Sequence, residues 1–241
     1  MSSYPKPAGR PRVPAGDLAV SALRLTRRFP ARAAEVTALE DVDFTAPWAA
    51  LTAVVGPSGC GKSTLLNLVG LLDRPDAGRL VVAGTDVTSF EAQRAAMFRR
   101  DHIGFLFQDG GLIERMTVAD NVGLPLAYRG ASARERVGRV GAALERVGLL
   151  ARATSLIDEL SGGERQRVGF ARAVVAAAPI LVCDEPTASL DAENARLVSD
   201  LLVERAAAGA AVVCASHEPG LIARANHRIT LSFGRVVETH P

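Results

Sequence analysis

The chain has 241 residues, 48% of them hydrophobic and 22% charged, so it is long enough and apolar enough to bury the core of one or two domains. This composition excludes a disordered or a fibrous protein. The 28 basic and 26 acidic residues give a formal net charge of +2, so no field of the whole chain attracts nucleic acid or an anionic membrane. Lys6 and Lys62 are lysines, whereas every other basic residue is an arginine.

The first 16 residues carry four prolines and three basic residues, which predicts a flexible basic tail ahead of a domain over residues 17–241. They lack the apolar run of a secretory signal. The three cysteines include no C-x-x-C pair, so neither a disulfide framework nor a zinc site is expected, and a cytoplasmic location fits best. The longest mostly apolar stretch, residues 173–183, is too short to cross a bilayer, so no membrane-spanning segment is predicted.

The front of the chain predicts an antiparallel β region. Residues 18–25 and 42–45 alternate between apolar and polar side chains, and residues 80–82 and Val87 flank a turn at Gly84. Farther along, apolar runs without alternation indicate strands that are buried on both faces of a parallel sheet. These runs are residues 51–55, 180–183 and 212–215.

Helical patterns separate these strands and therefore predict an α/β core. They cover residues 63–72, 134–147, 162–177 and 192–208. Residues 110–160 contain helical patterns but no convincing strand. We therefore predict a helical subdomain over about residues 110–165, inserted between two core strands.

A glycine-rich segment between a predicted strand and a predicted helix matches the phosphate-binding pattern G-x-x-x-x-G-K-[ST]. It reads Gly56-Pro57-Ser58-Gly59-Cys60-Gly61-Lys62-Ser63. Its glycines allow consecutive backbone N–H groups to face phosphate oxygens, and the start of the following helix adds a positive dipole end. We expect Lys62 to reach the β and γ oxygens of a nucleotide, Ser63 to hold Mg²⁺, and Thr64 to lie in the same site. Cys60 is expected to be a small space-filling side chain.

Two acidic residues follow the apolar run 180–183. Because α/β sheets bind ligands at the carboxyl ends of their strands, Asp184 and Glu185 are predicted to lie beside the phosphates. We expect Asp184 to bind Mg²⁺ through water and Glu185 to polarise the water that attacks the γ-phosphate.

Residues 160–167, Leu-Ser-Gly-Gly-Glu-Arg-Gln-Arg, contain a predicted capping box with Ser161 at the N-cap and Glu164 at N3. This segment resembles the LSGGQ or LSGGE signature of the ATP-binding cassette (ABC) ATPases. The resemblance covers about residues 18–238. It implies a P-loop NTPase (RecA-like) core with a parallel sheet, an antiparallel β subdomain and a helical subdomain that carries the signature. It also implies that Ser161 and Gly163 cap the γ-phosphate of ATP bound by a second copy, so that function requires a dimer, which we expect to be a homodimer.

Further residues match the family in its order along the chain, and the resemblance gives each an expected role. Phe29 would stack on adenine, Gln108 would sense Mg²⁺, Asp191 would order the dimer interface and His217 would contact the γ-phosphate. The implied catalytic residues are thus Lys62, Gln108, Glu185 and His217, and the implied Mg²⁺ ligands are Ser63, Gln108 and Asp184. One departure is Trp48-Ala49, which stands where the family often has Gly-Glu and implies an altered turn.

Within the family, three strings resemble the lipoprotein-releasing and macrolide-export branch. They are residues 71–78, 103–108 and 121–126, and in the family they surround the region that contacts the membrane subunit. The resemblance therefore implies a separate transmembrane permease as partner. It also implies export or membrane extraction of a lipophilic or peptide-like substrate, and a place on the inner face of the cell membrane.

Two other functions stay open from the sequence. One is an ABC ATPase that acts on nucleic acid or ribosomes, for which two arginine groups are candidate contacts, although a solvated helix face is the favoured interpretation. These groups are Arg94, Arg99 and Arg100, and Arg134, Arg136 and Arg139. The other is a regulatory subunit that binds ATP without hydrolysing it, against which the intact Asp184, Glu185 and His217 argue.

Overall fold

A computed structural model describes residues 18–30 and 35–240. The predicted basic tail, residues 1–16, lies outside the described residues. Among those that are described, ten strands form two sheets. The strands are β1 (Leu18–Phe29), β2 (Val36–Pro47), β3 (Leu51–Val55), β4 (Ala77–Val82), β5 (Thr85–Asp86), β6 (Ile103–Leu106), β7 (Ile180–Asp184), β8 (Ala211–Ala215), β9 (His227–Ser232) and β10 (Arg235–His240).

The described helices lie between these strands and confirm the alternation predicted from the sequence. They are α1 (Lys62–Val69), α2 (Ala92–His102), α3 (Val118–Tyr128), α4 (Ala133–Arg146), α5 (Gly162–Val175), α6 (Ala192–Ala207) and α7 (Pro219–Ile222). Helix α2 was not predicted, because Ala95 is its one buried residue and its pattern is therefore weak. Helix α3 has no strong pattern either, since Gly123 and Pro125 interrupt it.

The larger sheet has the order β10-β9-β3-β8-β7-β6, and all of its strands except β10 run parallel. Its central strands are buried on both faces, as the apolar runs predicted. Along β7, Ile180 and Val182 belong to one core, whereas Leu181 and Cys183 belong to the other. The sheet therefore separates two hydrophobic cores.

The first core lies between the parallel sheet, α1 and the antiparallel sheet of order β2-β1-β4-β5, which confirms the predicted antiparallel region. The second core lies between the parallel sheet and helices α3 to α6. Helices α3 and α4 follow β6 in the chain and precede β7, its neighbour in the sheet, whereas the bounds of a helical subdomain, about residues 110–165, stay a prediction. Helix α5 packs on both of them.

The Trp48-Ala49 turn between β2 and β3 has an unusual backbone. Ala49 has φ of 55°, in the left-handed region that costs an L residue about 1–2 kcal/mol. Trp48 packs against the first core, but its buried indole N–H has no partner. Ala49 thus holds a left-handed conformation that a glycine would adopt without this strain.

Candidate functional site

The carboxyl ends of β3, β7 and β8 meet at one edge of the parallel sheet and form a cleft of about 580 Å³. Sequence-predicted residues make up most of its lining. They are Gly56, Pro57, Ser58, Gly59, Gly61, Lys62, Ser63, Thr64, Gln108, Asp184, Glu185 and His217. Ala38 of β2 and Ala188 complete the lining and were not predicted, because an alanine carries no chemical signal in a sequence.

The phosphate-binding loop packs tightly against strand β9 and its own Cys60 side chain at Gly56. A Cβ added to Gly56 would lie 2.2 Å from the carbonyl oxygen of Leu231 and 2.7 Å from the sulfur of Cys60, so no other residue fits there. Cys60 itself is buried, which agrees with its predicted space-filling role. Lys62 Nζ donates to the carbonyl oxygens of Gly56 at 2.8 Å and Pro57 at 3.2 Å, which holds the ammonium inside the loop.

Helix α1 begins at this loop without a side-chain cap. Its N-cap, Gly61, has φ of 108° and provides no side-chain acceptor for the first amides. Those N–H groups and the helix dipole therefore leave a place for an anion at the loop.

Asp184 lies at the floor of the cleft and is buried. Burial raises the pKa of its carboxyl, and the nearby Glu185 acts in the same direction, although a hydrogen bond from the Ser63 hydroxyl and the charge of Lys62 oppose them. Asp184 Oδ1 has no hydrogen-bond partner, so one oxygen of the buried carboxylate is free to bind a ligand.

Glu185 and His217 form a pair at the mouth of the cleft. Glu185 Oε2 lies 2.9 Å from His217 Nδ1, and the glutamate side chain is 12% exposed whereas the histidine is 71% exposed. Glu185 has φ of 49° and its N–H donates to the carbonyl oxygen of Ala215 at 3.0 Å. The backbone thus directs a largely buried carboxylate toward the phosphate loop.

The signature residues lie outside this cleft. Ser161 Oγ accepts a hydrogen bond from Glu164 N at 3.2 Å, and Glu164 Oε2 accepts one from Ser161 N at 2.9 Å, which confirms the predicted capping box. A Cβ added to Gly163 would lie 3.5 Å from the carbonyl oxygen of Ser189. Asp191 caps α6 by accepting a hydrogen bond from Asn194 N at 2.8 Å.

Phe29, at the end of β1, also lies outside the cleft lining. Its ring is 37% exposed, and the Arg27 guanidinium lies over it at 4.6 Å from the centroid. A buried residue that the sequence did not single out, Gln166 of α5, donates from Nε2 to the carbonyl oxygen of Glu185 at 3.2 Å. A polar side chain on the buried face of a predicted helix was the available signal for Gln166.

Comparisons with known proteins agree with this geometry. A family model described as ABC transporter matches residues 39–188. The macrolide export ATP-binding/permease protein MacB of Burkholderia pseudomallei is 40% identical over 214 residues, which are 89% of this chain and 33% of MacB. The methionine import ATP-binding protein MetN 1 of Rhodococcus jostii is 41% identical over 219 residues, which are 90% of this chain and 64% of MetN 1. The chain thus spans about a third of the MacB relatives and under two thirds of MetN 1.

The fold matches solved cassettes as well. The post-hydrolysis dimer of the ATP-binding cassette MJ0796, bound to ADP and Pi, has a TM-score of 0.88 and 32% identity, and the match covers 92% of this chain and 97% of that one. CbiO1 from Clostridium perfringens, part of the ABC transporter complex cbiONQ, has a TM-score of 0.79 and 25% identity, and the match covers 93% of this chain and 88% of that one. None of the helices in residues 18–30 and 35–240 has the length and apolar content that a bilayer crossing requires. The chain belongs to the ABC transporter family, as one of its ATP-binding and ATP-hydrolysing cassettes.

Proposed function

We propose that two copies of this chain hydrolyse ATP at two shared sites and thereby drive a transmembrane permease. One observation carries the proposal: Lys62, Asp184 and the pair Glu185–His217 line one cleft, whereas the signature residue Ser161 lies outside it. A cleft that holds the phosphate loop and the acidic residues but lacks the signature is half of a composite site. The dimeric state of the MJ0796 cassette supports the same arrangement.

The residues of the cleft divide the chemistry among them. Lys62 and the amides of the loop bind the β- and γ-phosphates and neutralise the charge that develops on them. Glu185 orients the attacking water and accepts its proton. His217 holds the Glu185 carboxylate through Nδ1 and contacts the γ-phosphate from the exposed mouth of the cleft. Gln108, which lines the cleft beside the phosphate loop, reports nucleotide binding to the permease side.

Mg²⁺ fits the oxygen groups present. The unpartnered Oδ1 of Asp184 and the Ser63 hydroxyl beside it are the hard oxygen ligands that this ion prefers, and the amide oxygen of Gln108 lines the same cleft. Among the described residues, no group of three His, Cys, Asp or Glu side chains is placed to hold a metal, so the remaining ligands are phosphate oxygens and water. When bound, Mg²⁺ supplies positive charge to the phosphoryl group during transfer.

Asp184→Asn is expected to separate stability from function. In the parent, Asp184 is a buried carboxylate whose Oδ1 has no partner, and burying a charge is costly. The uncharged amide removes this cost, so the free energy of unfolding of the nucleotide-free protein should rise by about 1 kcal/mol at neutral pH. Without the carboxylate, the Mg²⁺ dependence of ATP binding should be lost. Thermal unfolding and ATP titrations with and without Mg²⁺ measure both effects. A variant that is destabilised, or that keeps the Mg²⁺ dependence, would contradict the assignment.

The second copy supplies the rest of the site. Ser161 is exposed at the N-cap of α5, and Gly163 lies in the first turn, where backbone N–H groups and the helix dipole favour an anion. We propose that Ser161 and Gly163 contact the γ-phosphate bound by the partner copy. Asp191 caps the start of α6, two residues after Ser189, whose carbonyl oxygen faces Gly163, and it orders the interface. Phe29, at the end of β1, stacks on adenine.

A groove of about 600 Å³ is the proposed docking site for the permease. The three sequence strings expected to surround the membrane subunit all reach its lining, through Leu72, Phe105 and Leu124 among others. Met97 and Tyr128 add exposed apolar surface, at 53% and 67% exposure. An apolar segment of a permease is therefore the occupant we propose, which places the cassette on the inner face of the membrane.

Met97→Glu is expected to abolish co-purification of the permease from membranes, because a carboxylate would replace an exposed apolar side chain at the proposed contact. The ATPase activity of the isolated cassette should stay within twofold of the parent. Val237→Glu, at a 60% exposed position on β10, is the matched control and should retain the permease. Equal loss of the permease in both variants would contradict the docking site.

The exported substrate class is part of the proposal. Several of the most similar relatives are named macrolide export proteins, which supports export or extraction of a lipophilic or peptide-like substrate by the permease. Action on nucleic acid is not favoured, because four of the six candidate arginines are engaged within the chain. Arg99 donates to the carbonyl oxygen of Leu71, Arg100 pairs with Asp101, Arg94 lies over Phe90, and Arg139 donates to the carbonyl oxygen of Val175.

A further inference from the structure

We propose that Gln166 is a positioning residue for Glu185, and that helix α5 thereby links the two ATP sites of the dimer. Helix α5 begins at Ser161, the residue proposed to act in the partner's site, and Gln166 lies on the same helix against the chain's own Glu185. The inference rests on the proposed function, since it concerns hydrolysis at composite sites.

The contact is buried and directed at the backbone. Gln166 is 3% exposed, and its Nε2 donates to the carbonyl oxygen of Glu185 at 3.2 Å. On the other side of the same residue, the Glu185 N–H donates to the carbonyl oxygen of Ala215 at 3.0 Å. Strand β8 and helix α5 therefore hold the two backbone polar groups of Glu185 from opposite sides.

Glu185 needs such support because its backbone is strained. Its φ of 49° lies in the left-handed region, which costs a residue with a Cβ about 1–2 kcal/mol. Strain of this kind persists only where the surroundings fix the conformation. Loss of the Gln166 donor would leave the carbonyl oxygen without this partner and allow the peptide to rotate. The carboxylate, 2.9 Å from His217 Nδ1, would then move off its position.

Helix α5 is a continuous and closely packed helix that joins Ser161 to Gln166. The capping box fixes its first turn, and Gly169 packs so closely that a Cβ there would lie 3.0 Å from Leu106 Cδ1 and 3.1 Å from Gly110 Cα. Gln166 follows Ser161 by five residues, about 7.5 Å along the axis at 1.5 Å per residue. A displacement of Ser161 by the partner's nucleotide is therefore transmitted to Gln166 and to the Glu185 peptide.

Gln166→Met tests the positioning role. Methionine has a similar length and volume but no N–H donor, so packing is retained. We expect kcat for ATP to fall about tenfold, because small misplacement of a catalytic group is costly, while KM changes less than threefold. The Hill coefficient for ATP should fall toward 1. A kcat within twofold of the parent, or a rise in KM that accounts for the whole loss, would overturn the inference.

Gln166→Glu supplies a readout that a purely structural role would not move. At high pH the introduced carboxylate would face the carbonyl oxygen of Glu185 and repel it, whereas the protonated acid can donate a hydrogen bond to it. We expect the ratio of variant to parent kcat to rise as the pH falls from about 8 to about 6, since burial raises the pKa of such a carboxyl. Glu185, Asp184 and His217 face the same region in the parent and in both variants, and Gln166→Met, which introduces no charge, is the reference for their contribution.

The paired variants keep the two proposals distinguishable. For Gln166→Met, the ratio of variant to parent kcat should not change with pH. If this ratio rises equally in both variants as the pH falls, or rises in neither, the positioning role is refuted. If the parent forms an ATP-bound dimer and hydrolyses ATP, and both variants behave like the parent, only the inference about Gln166 fails and the proposed function stands. If the parent neither dimerises nor hydrolyses ATP, with or without its permease, the proposed function fails.

Discussion

Glu185→Gln is expected to lower ATP turnover by about 10²–10³-fold while ATP binding stays within threefold of the parent. The amide has the size of the carboxylate and can still accept a hydrogen bond at the position 2.9 Å from His217 Nδ1, so the cleft keeps its shape. It cannot accept a proton from water, which removes the general base from the reaction. Because bound ATP is then not consumed, a dimer held together by ATP should accumulate.

Phosphate release and size-exclusion chromatography in Mg²⁺-ATP measure the two effects. Glu145→Gln provides the matched control, since Glu145 lies on the exposed face of α4, away from the cleft lining. That control should turn over ATP like the parent and show no ATP-dependent dimer beyond the parent's. Turnover in Glu185→Gln within threefold of the parent would show that another group activates the water.

The elements that carry strong sequence patterns were predicted correctly. Strand β7 is a run of apolar residues because both of its faces are covered, and α4 has a polar and an apolar face because one side packs in the second core. Helix α2 escaped prediction since little of it is buried, and the hairpin of β9 and β10 since only two of its side chains, Ile229 and Leu231, are buried. The hydrophobic pattern of a sequence therefore reveals a helix or a strand only where burial determines which of its residues are apolar.

The site divides in a similar way. Lys62, Asp184 and Glu185 could be predicted because their chemistry requires these residue types directly after buried strands or within a glycine-rich turn. The link from Gln166 to the Glu185 carbonyl oxygen could not, since it depends on how α5 packs against a backbone group 19 residues away. The contact between Glu185 and His217 could not be predicted either, because the two residues follow different strands, β7 and β8.

Lys62→Ala is expected to weaken ATP binding by at least about 10²-fold. The ammonium makes hydrogen bonds of 2.8 and 3.2 Å inside the loop, which places it where phosphate oxygens bind, and charge-assisted hydrogen bonds contribute about 1.5–3 kcal/mol each. Two such bonds correspond to a factor of about 10² to 10⁴ in affinity. Equilibrium binding of a fluorescent ATP analogue measures the loss directly.

Lys62→Arg should resemble Lys62→Ala rather than the parent. A guanidinium is planar and larger than an ammonium, and the loop closes on Nζ through two of its own carbonyl oxygens. The chain uses arginine at all basic positions other than 6 and 62, so charge alone does not explain the lysine here. Lys6→Arg is the matched control and should bind ATP as the parent does. Acylation of amines, followed by mass spectrometry, should label Lys62 less when ATP is present and Lys6 equally in both conditions; equal labelling of Lys62 would place the phosphates elsewhere.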